Sequence, residues 1–279
     1  MQERTKKNIP NIIVFSLLAV YALLCFSLLI YMVLCSFQPS DADIFAVPPK
    51  LIPDYWRWEN YKIALESMNY LNALKNTVVI MIGSNVLCFI STMLVAYGFA
   101  RFNAKGKNVV FMLLISTMML PWVVTMVPAF VLFKKIGWIG TNLPLIVPSI
   151  GGSAFYIFLM RQYIMGIPRS FDDAAKIDGA GTLRILVSVI VPNLRSIIAY
   201  MLIMSITGSY GDYLAPSIYL IRGEDYTISL ALRTIKNAYG VTKWRESMAG
   251  GVIYALPLIV VFLAFQKQIL QGLSITGLK

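Results

Sequence analysis

Apolar residues along this chain gather in long runs separated by shorter polar segments. Six runs, 12–37, 78–99, 109–133, 143–160, 196–215 and 248–265, hold almost no charge. Each is close to the roughly 20 residues that a helix needs to cross a bilayer. The pattern predicts an all-α integral membrane protein with six transmembrane helices, organised as a single transmembrane domain over 1–279. The first run follows Arg4, Lys6 and Lys7 in the manner of a secretory leader. It is too long for one and has no small-residue cleavage pattern, so it is expected to stay in the mature chain.

Composition agrees with that reading. The chain is 58% hydrophobic and 13% charged, with mean hydropathy +0.72, whereas charged residues make up about a quarter of a soluble protein. A net charge of +11 would suggest nucleic acid as the partner of a soluble chain. Here the basic residues sit in loops between spans, so the expected neighbours are anionic membrane lipids and no nucleic acid. Arg4, Lys6 and Lys7, the turn with Arg101, Lys105 and Lys107, and an elbow with Arg161, Arg169, Lys176, Arg184 and Arg195 all fall on one side. Lys134 and Lys135 fall on the other. The positive-inside rule makes the first side cytoplasmic, which puts both termini in the cytoplasm of a multi-pass plasma- or inner-membrane protein. Tyr55, Trp56, Trp58, Trp122 and Trp138 near span ends have the placing of interfacial anchors.

The chain has no histidine and only three cysteines, Cys25, Cys35 and Cys88, all inside apolar runs. Catalysis with an imidazole base and His-ligated metal are excluded, and no disulfide or metal spacing is present. No catalytic or metal residue is therefore predicted. The turn Arg101 to Asn108 has the look of a phosphate loop but lacks its first glycine and the Ser or Thr after the lysine, so this chain does not hold ATP in that way. Ionisable groups inside the spans, which mark proton and ion relays, are almost absent. The energy for any transport is expected from another chain.

Between the fourth and fifth spans lies a polar elbow, 167–192. Pro168 stops the helix arriving from the fourth span, and Ser170 with Asp173 has the spacing of a capping box, so a short helix is expected to start there. Asp172 and Asp173 in its first turn favour the positive end of the helix dipole, and Gly179 and Gly181 end it. Ala174, Ala175, Gly179 and Ala180 give it a thin profile suited to a groove in another protein. An ordinary interfacial loop without a partner is the other reading that these residues allow.

Asp173-Ala174-Ala175, followed by Gly179 and then by Val189, Val191 and Pro192, resembles the EAA loop of permeases of ATP-binding-cassette importers, with Asp for the usual Glu and Val at the two aliphatic places. Asp173 to Ala180 is similar to the sugar branch of those permeases. Trp58-Glu59-Asn60-Tyr61, Lys75-Asn76-Thr77, Ala96 to Arg101, Pro121 to Gly137, and Trp244 with Met248-Ala249-Gly250 carry the likeness along nearly the whole chain. Gln271 to Lys279 resembles the tail of the second permease of maltose-type importers. Tyr210-Gly211-Asp212-Tyr213 departs from the branch, which often has Trp-Asn before the acidic residue.

The resemblance implies a permease subunit of an ATP-driven carbohydrate importer, not itself an enzyme. The implied partners are a homologous second permease, two ATPase subunits that carry ATP and magnesium, and an extracytoplasmic solute-binding protein. This chain would bind no cofactor. Asp172, Asp173, Ala174, Ala175, Asp178, Gly179 and Ala180 would form the coupling helix. Gln271, Gly272, Gly277 and Lys279 would touch the ATPases or belong to a frayed terminus. Tyr200, Ser205, Gly208, Ser209 and Asp212 on the fifth span either line a solute path or serve close helix packing. Pro144, Pro148, Gly151 and Gly152 break the fourth span as a gate or a kink. A secondary transporter would show repeated halves and buried ionisable groups, and the sequence shows neither; a membrane enzyme would need polar catalytic groups clustered at one depth.

Overall fold

The computed structural model describes residues 2–39, 51–236 and 240–277, with side chains described within 14–39, 51–236 and 240–266. Among these residues the chain is helical, and the only β pairing is an isolated bridge between Lys236 and Thr242. The longer helices are α1 (Gln2–Ser36), α2 (Glu59–Ser67), α3 (Tyr70–Arg101), α4 (Lys107–Ser116), α5 (Trp122–Lys135), α6 (Ala154–Gly166), α7 (Ser170–Ile177), α8 (Arg195–Gly211), α9 (Leu214–Tyr219) and α10 (Trp244–Gly277).

Among the described residues four segments are long and apolar enough to cross a membrane: Val14–Ser36, Tyr70–Arg101, Leu143–Gly166 and Trp244–Gln266. The run 109–133, expected as one helix, is two. Lys107–Met119 and Trp122–Lys135 meet at 97°. Proline explains the corner: a residue before proline is pushed out of the helical region, and Leu120 is extended at ψ 113° while Pro121 opens α5. The run 196–215 also ends earlier than its composition suggests, at Gly211, and meets the elbow segment Thr182–Asn193 at 83°. At that second corner the Leu194 N–H is shared between the carbonyls of Ile190 and Val191, at 3.2 and 3.0 Å.

The described residues form two compact units. In the first, drawn from 1–70 and 231–257, Asn60 is fully buried and its Nδ2 donates to the carbonyls of Ser36 and Gln38, each at 2.9 Å. Those are carbonyls that the end of α1 leaves unpaired. Phe37 sits among Trp56, Trp58 and Tyr61 with ring centroids 4.7–5.0 Å away. The two tryptophans, expected as interfacial anchors, thus also enclose the chain just after α1.

The second unit, drawn from 71–230 and 258–279, is built on a core in which Ala96 of α3, Met160 and Ile164 of α6, Ile190 of the elbow, Leu194 just after it, and Met201 of α8 are buried together. At the other end of α3, Asn76 Nδ2 donates to the Glu224 carbonyl at 2.8 Å, and Thr77 Oγ1 accepts the Ile228 N–H at 2.9 Å. The break in the fourth span is closed by the same helix. Gly152 has φ +69°, and the next amide, Ser153 N–H, donates to Thr92 Oγ1 at 3.4 Å, which satisfies a donor that the kink releases. A Cβ at Gly152 would lie 3.2 Å from Thr92 Oγ1 and 3.3 Å from Ile157 Cδ1. Left-handed backbone and tight space act together, so Gly152→Ala is expected to lower thermal stability by about 1–3 kcal/mol. Gly151→Ala, where a Cβ meets nothing within 4 Å, should leave the melting temperature of the purified protein unchanged.

Candidate functional site

The elbow is built around α7. The helix before it, α6, ends at Gly166, and Ile167 is extended at ψ 126°, as a residue ahead of Pro168 must be. The next helix starts earlier than the capping-box spacing suggests. Arg169 already has helical backbone, φ −63° and ψ −22°, no side chain caps the first turn, and the Asp173 N–H donates to the Arg169 carbonyl at 3.0 Å. Ser170 and Asp173 therefore form no capping box, and the two neighbouring aspartates are put to different uses.

Asp172 turns inward. It is 6% exposed, and its Oδ2 lies 2.7 Å from Arg101 Nε at the end of α3. The same guanidinium donates through Nη2 to the Ile167 carbonyl at 3.0 Å. One arginine thus holds both the first turn of α7 and the strand-like residue that leads into it. The Nε contact is charge to charge rather than an aligned hydrogen bond, and Asp172 Oδ1 has no donor among the described residues. Asp173, one residue on, is exposed and pairs with Lys176 at 3.1 Å, a surface pair worth little to stability.

The far end of α7 is closed by a Schellman motif. The Ala180 N–H donates to the Ala175 carbonyl at 2.9 Å and the Gly179 N–H to the Lys176 carbonyl at 3.0 Å, which requires a left-handed residue at the turn; Gly179 has φ +79°. Ala175 and Ala180 pack against the buried core of the second unit. A Cβ at Gly179 would meet nothing within 4 Å, so on that side the space limit is not set by this chain.

With Asp172, Ala175 and Ala180 facing the core, the opposite face of α7 is bare. Phe171 is 50% exposed and Ile177 88% exposed, with Ala174, Asp178 and Gly179 exposed beside them. Phe171, Ala174 and Ile177 follow the three-residue spacing of a single helical stripe. The seven predicted coupling residues thus divide into those that pin the helix and those that point away from the chain. Phe171, Ile177 and Arg101 belong to the arrangement but are absent from the sequence-based set. The apolar pair could have been found from its spacing, whereas the partner of Asp172 lies too far along the chain for any local signal.

Of the fifth-span candidates, only Ser205 and Ser209 are brought to a common partner among the described residues. Ser209 Oγ accepts from Asn85 Nδ2 at 3.1 Å, and Ser205 Oγ donates to Asn85 Oδ1. Asn85, which sequence reasoning missed, is a lone amide in the apolar run of α3, and it also donates to the Met81 carbonyl at 2.7 Å. Such amide and hydroxyl pairs act as glue between spans. Asp212 Oδ1 accepts the Ala215 N–H at 3.2 Å at the start of α9. Tyr200 packs on the core, and Gly208 is exposed with open space where a side chain would stand. In the tail, Gln271, Gly272 and Gly277 continue the backbone of α10 with their side chains outside the described set, and Lys279 lies outside the described residues. Among the described residues no cluster of three potential metal ligands occurs.

Residues 89–275 match the family described as binding-protein-dependent transport system inner membrane component. The chain is similar to the arabinooligosaccharides transport system permease protein AraQ of Bacillus subtilis (strain 168), with 30% identity over 81% of this chain and 80% of the relative. It is similar to the galactooligosaccharides transport system permease protein GanQ of the same organism, with 29% identity over 99% and 98%. Among solved structures it shares its fold with a bacterial ABC transporter involved in the import of the acidic polysaccharide alginate, at TM-score 0.82, 22% identity and coverage of 94% and 97%. A structure of bacterial alginate ABC transporter in complex with alginate pentasaccharide-bound periplasmic protein aligns at TM-score 0.70 and 15% identity over 94% of each chain.

Breaking a buried ion pair from one side leaves an uncompensated charge at a cost of about 3–5 kcal/mol. Arg101→Ala is therefore expected to speed amide hydrogen exchange across 170–180 and to lower the melting temperature. The exchanged pair Arg101→Asp with Asp172→Arg should recover part of the protection. Equal exchange in wild type and Arg101→Ala would remove the pair from its holding role.

Proposed function

The chain belongs to the family of binding-protein-dependent transport system inner membrane components, and on that premise we propose that it is the permease subunit through which an ATP-driven importer moves a carbohydrate across the cell membrane. The membership makes it a multi-pass membrane transport subunit rather than an enzyme. The oligosaccharide systems named for its relatives support a sugar or oligosaccharide as the solute. In this reading the permease domain spans 1–279 with six crossings, the two bent helix pairs each counting as one; an even number of crossings puts both termini on one side, which the positive-inside rule makes the cytoplasm.

The observation that carries the proposal is the division of α7 into a pinned face and a bare one. Phe171, Ala174 and Ile177 form an apolar stripe on a helix whose other face is fixed by Arg101 and the core. Burying a large apolar side chain in a partner is worth roughly 1.5–3 kcal/mol, so two such residues on a thin helix suit a groove. We assign that groove to an ATPase subunit, which carries the ATP and magnesium. A second, homologous permease completes the pathway, and a solute-binding protein delivers the sugar from outside. Because α7 is tied to α3 by an ion pair and to α6 and α8 through the core, movement of its partner is transmitted to those helices as a lever. Gly208 faces open space and is the fifth-span residue best placed to meet either the second permease or the solute.

Pull-down of the tagged chain from membranes tests this reading. Wild type is expected to bring down a second permease and an ATPase pair. The double variant Phe171→Asp, Ile177→Asp is expected to keep the permease and lose the ATPases. ATPases retained in full by that variant, or a homo-oligomer of wild type with complete uptake activity, would contradict it.

A further inference from the structure

The basic turn between α3 and α4 is not absorbed by the coupling site. Asn103 to Val109 and Arg161 of α6 together line a cavity of about 590 Å³. Three cations border it, Lys105, Lys107 and Arg161, and none of the ion pairs among the described residues involves any of them. Lys107 Nζ donates to the Phe102 carbonyl at 2.8 Å, which uses one of its three donors and leaves two. The guanidinium of Arg161 lies over the Phe111 ring, 4.2 Å from its centroid, and its Nε is buried with no acceptor. A buried donor left unmatched is costly, and three uncompensated positive charges around one hollow repel each other. An oxyanion in the cavity would relieve that repulsion.

The surroundings indicate which oxyanion. Val109 borders the cavity, and beyond it Val110, Met112 and Leu113 of α4 are all more than half exposed. A polar, positively charged hollow thus opens at the foot of an apolar helix face. That is the arrangement of a lipid whose headgroup sits at the interface while its acyl chains run along the span.

We propose that this cavity binds the phosphate of an anionic phospholipid, with Lys105, Lys107 and Arg161 around the headgroup and α4 against the acyl chains. The same phosphate chemistry could be met by free phosphate, and the test separates the two. The full chain, purified with the subunits that accompany it, is placed in nanodiscs of equal phosphatidylglycerol and phosphatidylcholine, and the retained lipids are counted by native mass spectrometry. Wild type should retain phosphatidylglycerol preferentially. Lys105→Glu, at an exposed position that leaves the fold intact, and Arg161→Gln should each reduce the preference, by about five-fold per cation removed. If a large excess of inorganic phosphate strips the bound lipid, the occupant is free phosphate and the lipid assignment falls; persistence of the lipid supports it. Equal retention of both lipids by wild type, or an unchanged preference in Lys105→Glu, overturns the site.

Discussion

The buried ion pair between Arg101 and Asp172 is the contact on which the working end of this chain depends. Its two side chains are 7% and 8% exposed, so little water screens them, and the arginine also holds the Ile167 carbonyl. A helix of eight residues depends on such tertiary contacts, since isolated helices shorter than about 12–15 residues are marginal in water. With the pair in place, the helix is a fixed projection of α3. The Schellman turn at Gly179 and the packing of Ala175 and Ala180 complete the mounting, and only then does the stripe of Phe171, Ala174 and Ile177 become a surface of defined shape.

The same economy of polar contacts recurs along the rest of the chain. Inside a bilayer each free backbone or side-chain polar group must find a partner within the protein. Thr92 takes the amide released at Gly152, Asn85 takes Ser205 and Ser209, and Asn60 takes the carbonyls at the end of α1. A few amides and hydroxyls placed in apolar runs thus decide where helices can break and which ones meet. The sharp corners at Pro121 and Leu194 fit this picture, because the first falls on a proline and the second two residues after Pro192, and a proline cannot donate to the ladder.

Much of this was legible beforehand. Apolar runs of membrane length announce themselves through composition alone, and the positions of Pro168 and Gly179 mark both ends of the elbow helix. The neighbouring aspartates show where such reading stops. Asp172 and Asp173 look alike in the sequence, and both suit the first turn of a helix, yet one is buried against a residue 71 positions earlier and the other pairs with Lys176 in water. Neighbouring positions on a helix point about 100° apart, and only the packing of the helix on α3 decides which of the two turns inward. The corner at Pro121 was hidden for another reason: hydropathy is blind to direction, so a run with a right-angle bend scores like a straight one. Asn85 went unnoticed because one amide barely changes the hydropathy of its run, although it holds two helices together.

The central claim is that a pinned helix presents Ile177 and its neighbours to a nucleotide-hydrolysing partner. A photoreactive amino acid placed at Ile177 in the membrane-embedded assembly tests it most directly, with identification of the crosslinked product by mass spectrometry. The account predicts a covalent product with an ATPase subunit from position 177 and none from the core-facing position Ala175. Crosslinking of 177 to lipid or to solvent alone, with no ATPase product, would contradict it.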